Sequence, residues 1–200
     1  MTDPFTPVLV KVSGEVIGAI LNAGFRDLLR ARVNQAEEIL RKRAAKGRPW
    51  LVTEEAAAGA LFAYFRAAAE GVARRNLDLM AEALSSLAAE PAFAPDEFRR
   101  QALRIADLTY EEIVLLAAFL RAPAQEEGVT DPSHAWNFAC KELRGKSAFP
   151  DLASLVQWAT ALQRTGYVVV WPVMQGIHFT PTHLLTSLAR LVDLEEAARD

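Results

Sequence analysis

The hydrophobic period of this chain changes from helical to extended and back at one place, Leu152 to Val192. Leu152, Leu155, Val156, Ala159 and Leu162 share one face at 3.6-residue spacing, and Gly166 follows as a helix stop. Tyr167 to Trp171 is a β-branched and aromatic run, and Ile177 to Thr180 is a second, shorter one. Pro172 and Gly176 bracket a loop of about five residues between them. Thr180 then stands as the cap of a new helix with Pro181 at its first position, where a missing N–H costs nothing. Helix, hairpin, helix is the tail of a winged-helix unit, and this constrains the fold more than any other stretch.

Elsewhere the pattern is helical. A long stripe from Val8 to Ala45 carries Val16, Ile20, Phe25, Leu29, Val33, Ala36 and Leu40, and Lys46-Gly47-Arg48-Pro49 closes it. Thr53-Glu54-Glu55 opens a second helix that ends at Pro91, with Gly71 marking a bend or a close crossing. The short connection predicts an antiparallel hairpin of these two. Pro95 starts a third helix through about Ala106. Thr109 and Glu112 have capping-box spacing at the start of the fourth, which runs to Arg121, and Leu108 staples onto Ile113. Asp131-Pro132 caps a fifth that closes at Gly145, and the sixth, from about Pro150, leads into the hairpin. The fold expected is therefore mainly α. Residues 1–107 form an N-terminal region built on a long helical hairpin, and 108–200 a winged-helix-like unit with one short β-hairpin.

Composition bounds the function classes. Hydrophobic residues make up 52% and charged residues 24%, which excludes wholesale disorder. One cysteine, Cys140, cannot form an internal disulfide, and Asp3, Pro4 and Pro7 interrupt any signal peptide. Both point to a cytoplasmic protein. Val8 to Phe25 is apolar and holds Gly14-x-x-x-Gly18, but Lys11, Glu15 and Asn22 break it. A packed helix is the first reading, and a helix lying on a membrane surface is the second.

No enzyme motif is present: no phosphate-cradling glycine loop, no GxSxG elbow, no HExxH. Glu54-Glu55 and Glu111-Glu112 sit in first helical turns, where capping and the helix dipole explain them. His134, His178 and His183 lack metal-ligand spacing, and Cys140 lies on an apolar face beside Trp136 and Leu143. No catalytic residue, metal, cofactor or small-molecule substrate is inferred.

A winged helix raises the question of DNA. Its recognition helix, Asp151 to Arg164, offers Gln157 and Arg164 as outward polar groups, preceded by Lys141, Arg144 and Lys146. Residues 108–192 nevertheless hold six basic and seven acidic side chains, a poor balance against phosphates. The basic excess lies instead in residues 1–50, with nine Lys or Arg against five acids. There Arg41, Lys42, Arg43, Lys46 and Arg48 form either a solvated helix end or a patch for anionic lipid or nucleic acid. A protein partner or self-association is the leading expectation, with DNA and a membrane surface as alternatives.

Gly14-Glu15-Val16-Ile17-Gly18, a long helix with Arg32-Val33-Asn34, Asn76-Leu77 on the second helix, and the later Leu155, Leu162, Gly166 and Thr182 form a further pattern. In these features the chain resembles the Abi-alpha family of bacterial proteins, linked to phage abortive infection. The resemblance spans most of the chain and brings no catalytic residues with it. It implies a non-enzymatic, defence-related or regulatory binding protein.

Overall fold

A computed structural model describes residues 11–13, 26–46, 49–90, 93–124, 131–173 and 176–199. It is mainly α-helical, and the described residues hold one two-stranded antiparallel hairpin near the C-terminus. The chain divides into two compact units, Met1–Asp107 and Leu108–Asp200.

In the first unit, α1 spans Arg26–Lys46, α2 Glu54–Glu70, α3 Arg74–Ala88 and α4 Pro95–Ala106. The expected single second helix is two helices, broken at Gly71. Gly71 adopts φ 93°, and the N–H groups of Gly71 and Val72 donate to Ala68 O and Ala67 O. That double bond pattern closes α2 with a left-handed residue, which glycine adopts without a Cβ penalty. Arg32 on α1 reinforces the stop by donating to Ala69 O, and its guanidinium fills the space a Cβ at Gly71 would enter. α1 therefore packs against both α2 and α3. Tyr64 is fully buried on α2 and donates its hydroxyl to Ala36 O on α1 at 3.0 Å. Burial raises its phenol well above the ordinary range. α3 is buried on most sides through Leu77, Met80, Leu84 and Leu87, and Asn76 donates to Ala106 O at the end of α4.

Residues 8–10 and 14–25 lie outside the described residues, and with them the Gly14-x-x-x-Gly18 spacing and most of the apolar run weighed for a membrane surface. Lys11–Ser13 are helical, with Val12 and Ser13 buried. Among the described residues no helix is long and apolar enough to cross a membrane.

The second unit comprises α5 (Tyr110–Arg121), α6 (His134–Leu143), α7 (Leu152–Leu162), a 3-10 turn over Gln163–Thr165, β1 (Val168–Val173), β2 (Gly176–Pro181), α8 (His183–Ala189) and α9 (Leu194–Ala197). The capping box is present: Thr109 Oγ accepts from Glu112 N–H, and the Glu112 carboxylate accepts from Thr109 N–H at 2.9 Å. α7 begins at Leu152, two residues after Pro150, because the Asp151 carboxylate accepts from the backbone N–H and the hydroxyl of Ser154. The N-cap of α6 is Ser133, and Asp131 accepts from the N–H and hydroxyl of Ser133, turning the chain into α6.

The strands run longer than the residue types alone suggest. Their register pairs Val168 with Pro181, Val170 with Phe179, Trp171 with His178 and Pro172 with Ile177. The helix cap accordingly moves from Thr180 to Thr182. Thr182 N–H donates to Tyr167 O and extends the ladder, while Thr182 Oγ accepts from Leu184 N–H and donates to Gly166 O.

Candidate interaction surface

The base of the hairpin is held from several sides. Tyr167, Val168 and Phe179 are buried, and the Phe179 ring lies 4.9 Å from the Trp136 ring of α6, which in turn stacks with Phe119 of α5. Thr180 donates its hydroxyl to Pro132 O at 2.8 Å. Gly166, at φ 76°, turns the chain into β1, and an added Cβ there would lie 3.3 Å from the Leu184 side chain. Directly ahead of that turn, Arg164 grips the Glu112 carboxylate with both terminal nitrogens, one at 2.8 Å. Only 1% of the Glu112 side chain is exposed, so the N-terminal end of α5 and the approach to β1 share one charge pair.

Beyond that base the ribbon overhangs the core. Val169 is 46% exposed, Trp171 49% and Ile177 53%, and Val170 and Pro172 are exposed as well. Successive residues of a strand point to opposite faces, and directly paired residues share one. Val169 and Trp171 therefore stand on one face, and Val170, Pro172 and Ile177 on the other. Apolar side chains are thus exposed on both faces of the distal half. His178 pairs across from Trp171, with its Nδ1 enclosed and no hydrogen-bond partner among the described residues. From Thr165 to Ala189 the sequence contains no Asp, Glu, Lys or Arg.

The strand edges are blunted. Because Thr182 N–H bonds Tyr167 O, alternation along the ladder turns the backbone groups of Val168, Val170 and Pro172 outward on one strand. On the other strand Ile177, Phe179 and Pro181 turn outward. Both prolines fall where the missing N–H would face away from the partner strand, the usual place for proline in a sheet edge. Val168 and Phe179 are buried, so Val170 and Ile177 are the outward donors of the exposed part. Two donors on opposite edges are too few to template strand addition.

The residues singled out from sequence are dispersed in role. Lys141, Arg144 and Gln157 are exposed, and Lys146, just past the end of α6, lies 3.8 Å from Glu142 on that helix. Arg164 keeps its side chain 42% exposed while engaging an acid. It sits in the 3-10 turn after α7, not on the helix, and its charge is met by Glu112. The physical reason is burial: the Glu112 carboxylate needs a counter-charge, and Arg164 is placed to supply it. The basic patch is likewise met locally. Arg41 pairs with Glu37, Lys42 with Glu38, and Arg43 with Asp78 and Glu82 of α3, leaving Lys46 exposed; Arg48 lies outside the described residues.

Cys140 is half-buried, and burial pushes its thiol up to about 11, which makes it a poor nucleophile at neutral pH. The ring of His134 lies 3.0 Å from Pro123 O. Among the described residues no group of three His, Cys, Asp or Glu side chains is placed to hold a metal. Sequence reasoning identified the strands but assigned their outward residues no role. The signal available was the uncharged run of 25 residues around them. The chain matches no family model, no curated protein and no solved structure.

Proposed function

We propose that the chain is a non-enzymatic, cytoplasmic interaction protein whose contact element is the distal half of the β-hairpin. One observation carries this reading: Val169, Trp171 and Ile177 stand about half exposed on a ribbon whose base is firmly packed. Fully burying such a side chain is worth roughly 1.5–3 kcal/mol, so half of that, about 1 kcal/mol each, stays unrealised in the isolated chain. A helical scaffold with a rigid, winged-helix-like projection suits binding better than chemistry, which needs a polar cleft with perturbed acids or bases. The resemblance of Gly14–Gly18, Arg32-Val33-Asn34 and Asn76-Leu77 to Abi-alpha proteins is the reason for setting this role in phage defence.

DNA contact is the second reading, and Lys141 and Arg144, both exposed just ahead of α7, favour it. It ranks lower because α7 itself presents Leu152, Ala153, Gln157 and Thr160 to solvent, with no cation among them. Two or three phosphate contacts would give a salt slope of about −2 to −3, far below that of a dedicated binder.

The test places photoactivatable benzoylphenylalanine at Trp171 and, as a control, at Leu103, an exposed apolar residue of α4. Adducts formed in cells from position 171 and absent from position 103 are the expected outcome. Equal yields from both positions would remove the hairpin as the contact element.

A further inference from the structure

We infer that the distal hairpin docks into the interfacial layer of a lipid bilayer, through Val169, Val170, Trp171, Pro172 and Ile177. The inference rests on reading the hairpin as the contact element and names what it contacts. Three observations separate lipid from a folded partner.

The first is that both faces of the ribbon are apolar and exposed. A flat protein surface covers one face of a two-stranded ribbon, whereas a fluid interface closes around both. The second is size. The four large side chains, Val169, Val170, Trp171 and Ile177, 36–53% exposed, present roughly 300 Å², given that one aromatic ring buries about 150–250 Å². A pair of copies meeting through this patch would bury roughly 600 Å², well under the ~1,200 Å² at which stable interfaces begin. No such minimum applies to insertion into lipid, where each apolar group contributes independently.

The third is the treatment of polar groups. The run from Thr165 to Ala189 carries no acid, Lys or Arg to desolvate. Pro172 removes a backbone donor from the exposed edge, and the remaining outward donors, Val170 and Ile177, stay within reach of the hydrated headgroup layer. The exposed strand of four to five residues spans roughly 15 Å, matching a shallow burial of about 5–10 Å rather than a span. Trp171 supplies the ring type enriched at that depth. With no cation on the hairpin, attachment is to neutral lipid as much as to anionic lipid.

The full chain is floated with vesicles of phosphatidylcholine, and with vesicles in which phosphatidylglycerol replaces part of it, at low and high salt. The expected result is flotation with both, unchanged by salt. Trp171→Ser with Ile177→Ser together should lower the partition coefficient roughly tenfold or more. Trp171→Phe retains most of it, and Leu103→Ser leaves it unchanged. Far-UV circular dichroism of each variant establishes that the fold is kept, and Trp171→Ser alone, with a smaller but still measurable loss of flotation, carries the comparison if the double variant does not fold. Flotation that requires phosphatidylglycerol and is abolished by salt would overturn the inference, because the contact would then be made by cations elsewhere. Absence of flotation together with protein adducts from position 171 would overturn it too, while leaving the hairpin as the contact element. Absence of both flotation and adducts would remove the contact reading itself.

Discussion

Val168 and Trp171 lie three residues apart on one strand and have opposite fates. Val168 is buried at the base of the ribbon, with Phe179 beside it against Trp136, whereas Trp171 stands half in solvent. The base is over-determined by a packed aromatic cluster, a Thr180 hydroxyl bond, a left-handed glycine and a charge pair. Among its described residues the distal half has no packed aromatic cluster, side-chain hydroxyl bond or charge pair, yet they are as apolar as those of the base. Apolar composition alone therefore does not distinguish a core from a contact surface. What distinguishes them is whether other elements of the chain reach that far, and here α5 and α6 end their support near Phe179. A stable base below an uncovered end is the arrangement expected of a projection built to meet something.

The contrast is broken most directly at Phe179. Truncation to alanine should destabilise the second unit by about 3–5 kcal/mol, because the ring is fully buried and its loss leaves a cavity beside Trp136. Chemical denaturation of the full chain, followed by near-UV circular dichroism, reads this loss. Arg164→Ala comes next, at about 3 kcal/mol. Its removal strands the Glu112 carboxylate, only 1% exposed, without a counter-charge. The double variant Arg164→Ala with Glu112→Gln should recover part of that loss, since the amide oxygen still accepts from Thr109 N–H and no buried charge is then left unpaired. A double variant no better than the single would mean that the pair is not what ties α5 to the approach of β1.

Gly166→Ala should follow at about 1–2 kcal/mol, from a positive φ that alanine adopts poorly and a tight approach to Leu184. Asp151 adds a pH dependence of known sign. Hydrogen bonds from the Ser154 hydroxyl and then its backbone N–H hold the Asp151 carboxyl below its ordinary range. A depressed folded-state value means that this stabilisation is present at neutral pH and is lost as pH falls through the carboxylate range. Asp151→Asn should flatten the acid limb of the stability profile slightly, and an unchanged limb would show that the exposed cap contributes nothing there.

Much of this was legible before any coordinates. The Thr109–Glu112 spacing announced its capping box because the motif is local and its chemistry is completed within four residues. The hairpin was legible for the same reason: β-branched residues and the turn signals at Pro172 and Gly176 act over short range. Gly71 marks a bend or a close crossing by sequence; α1 does approach it closely, but α2 ends there outright. What decides between bend and stop is the approach of Arg32, 39 positions away in sequence, which no local pattern carries. The Glu112–Arg164 pair escaped on the same grounds, since Glu112 already had a sufficient role as a cap and its second partner is 52 residues distant. Arg41, Lys42 and Arg43 read as a basic run, but each meets an acid one helical turn away or on α3. Clusters of charge along a sequence measure composition, whereas patches are a property of what neighbours leave uncompensated.

The smallest expected effect is the most informative. Trp171→Ser should change the unfolding free energy by no more than about 1 kcal/mol, the upper end of what a cross-strand contact contributes. The indole is half exposed and its cross-strand neighbour is His178, so its removal forfeits only a cross-strand contact worth roughly 0.2–1 kcal/mol at most. Set beside Phe179→Ala, this puts two aromatic residues of one hairpin several-fold apart in their contribution to stability. Urea denaturation of both variants under identical conditions measures the ratio directly. If Trp171→Ser costs 2 kcal/mol or more, the ring is part of the fold, its exposure has another cause, and the division of the hairpin into a structural base and a contact end collapses. If the cost is near zero while adduct formation or flotation is lost, stability and contact have been separated within a single pair of strands.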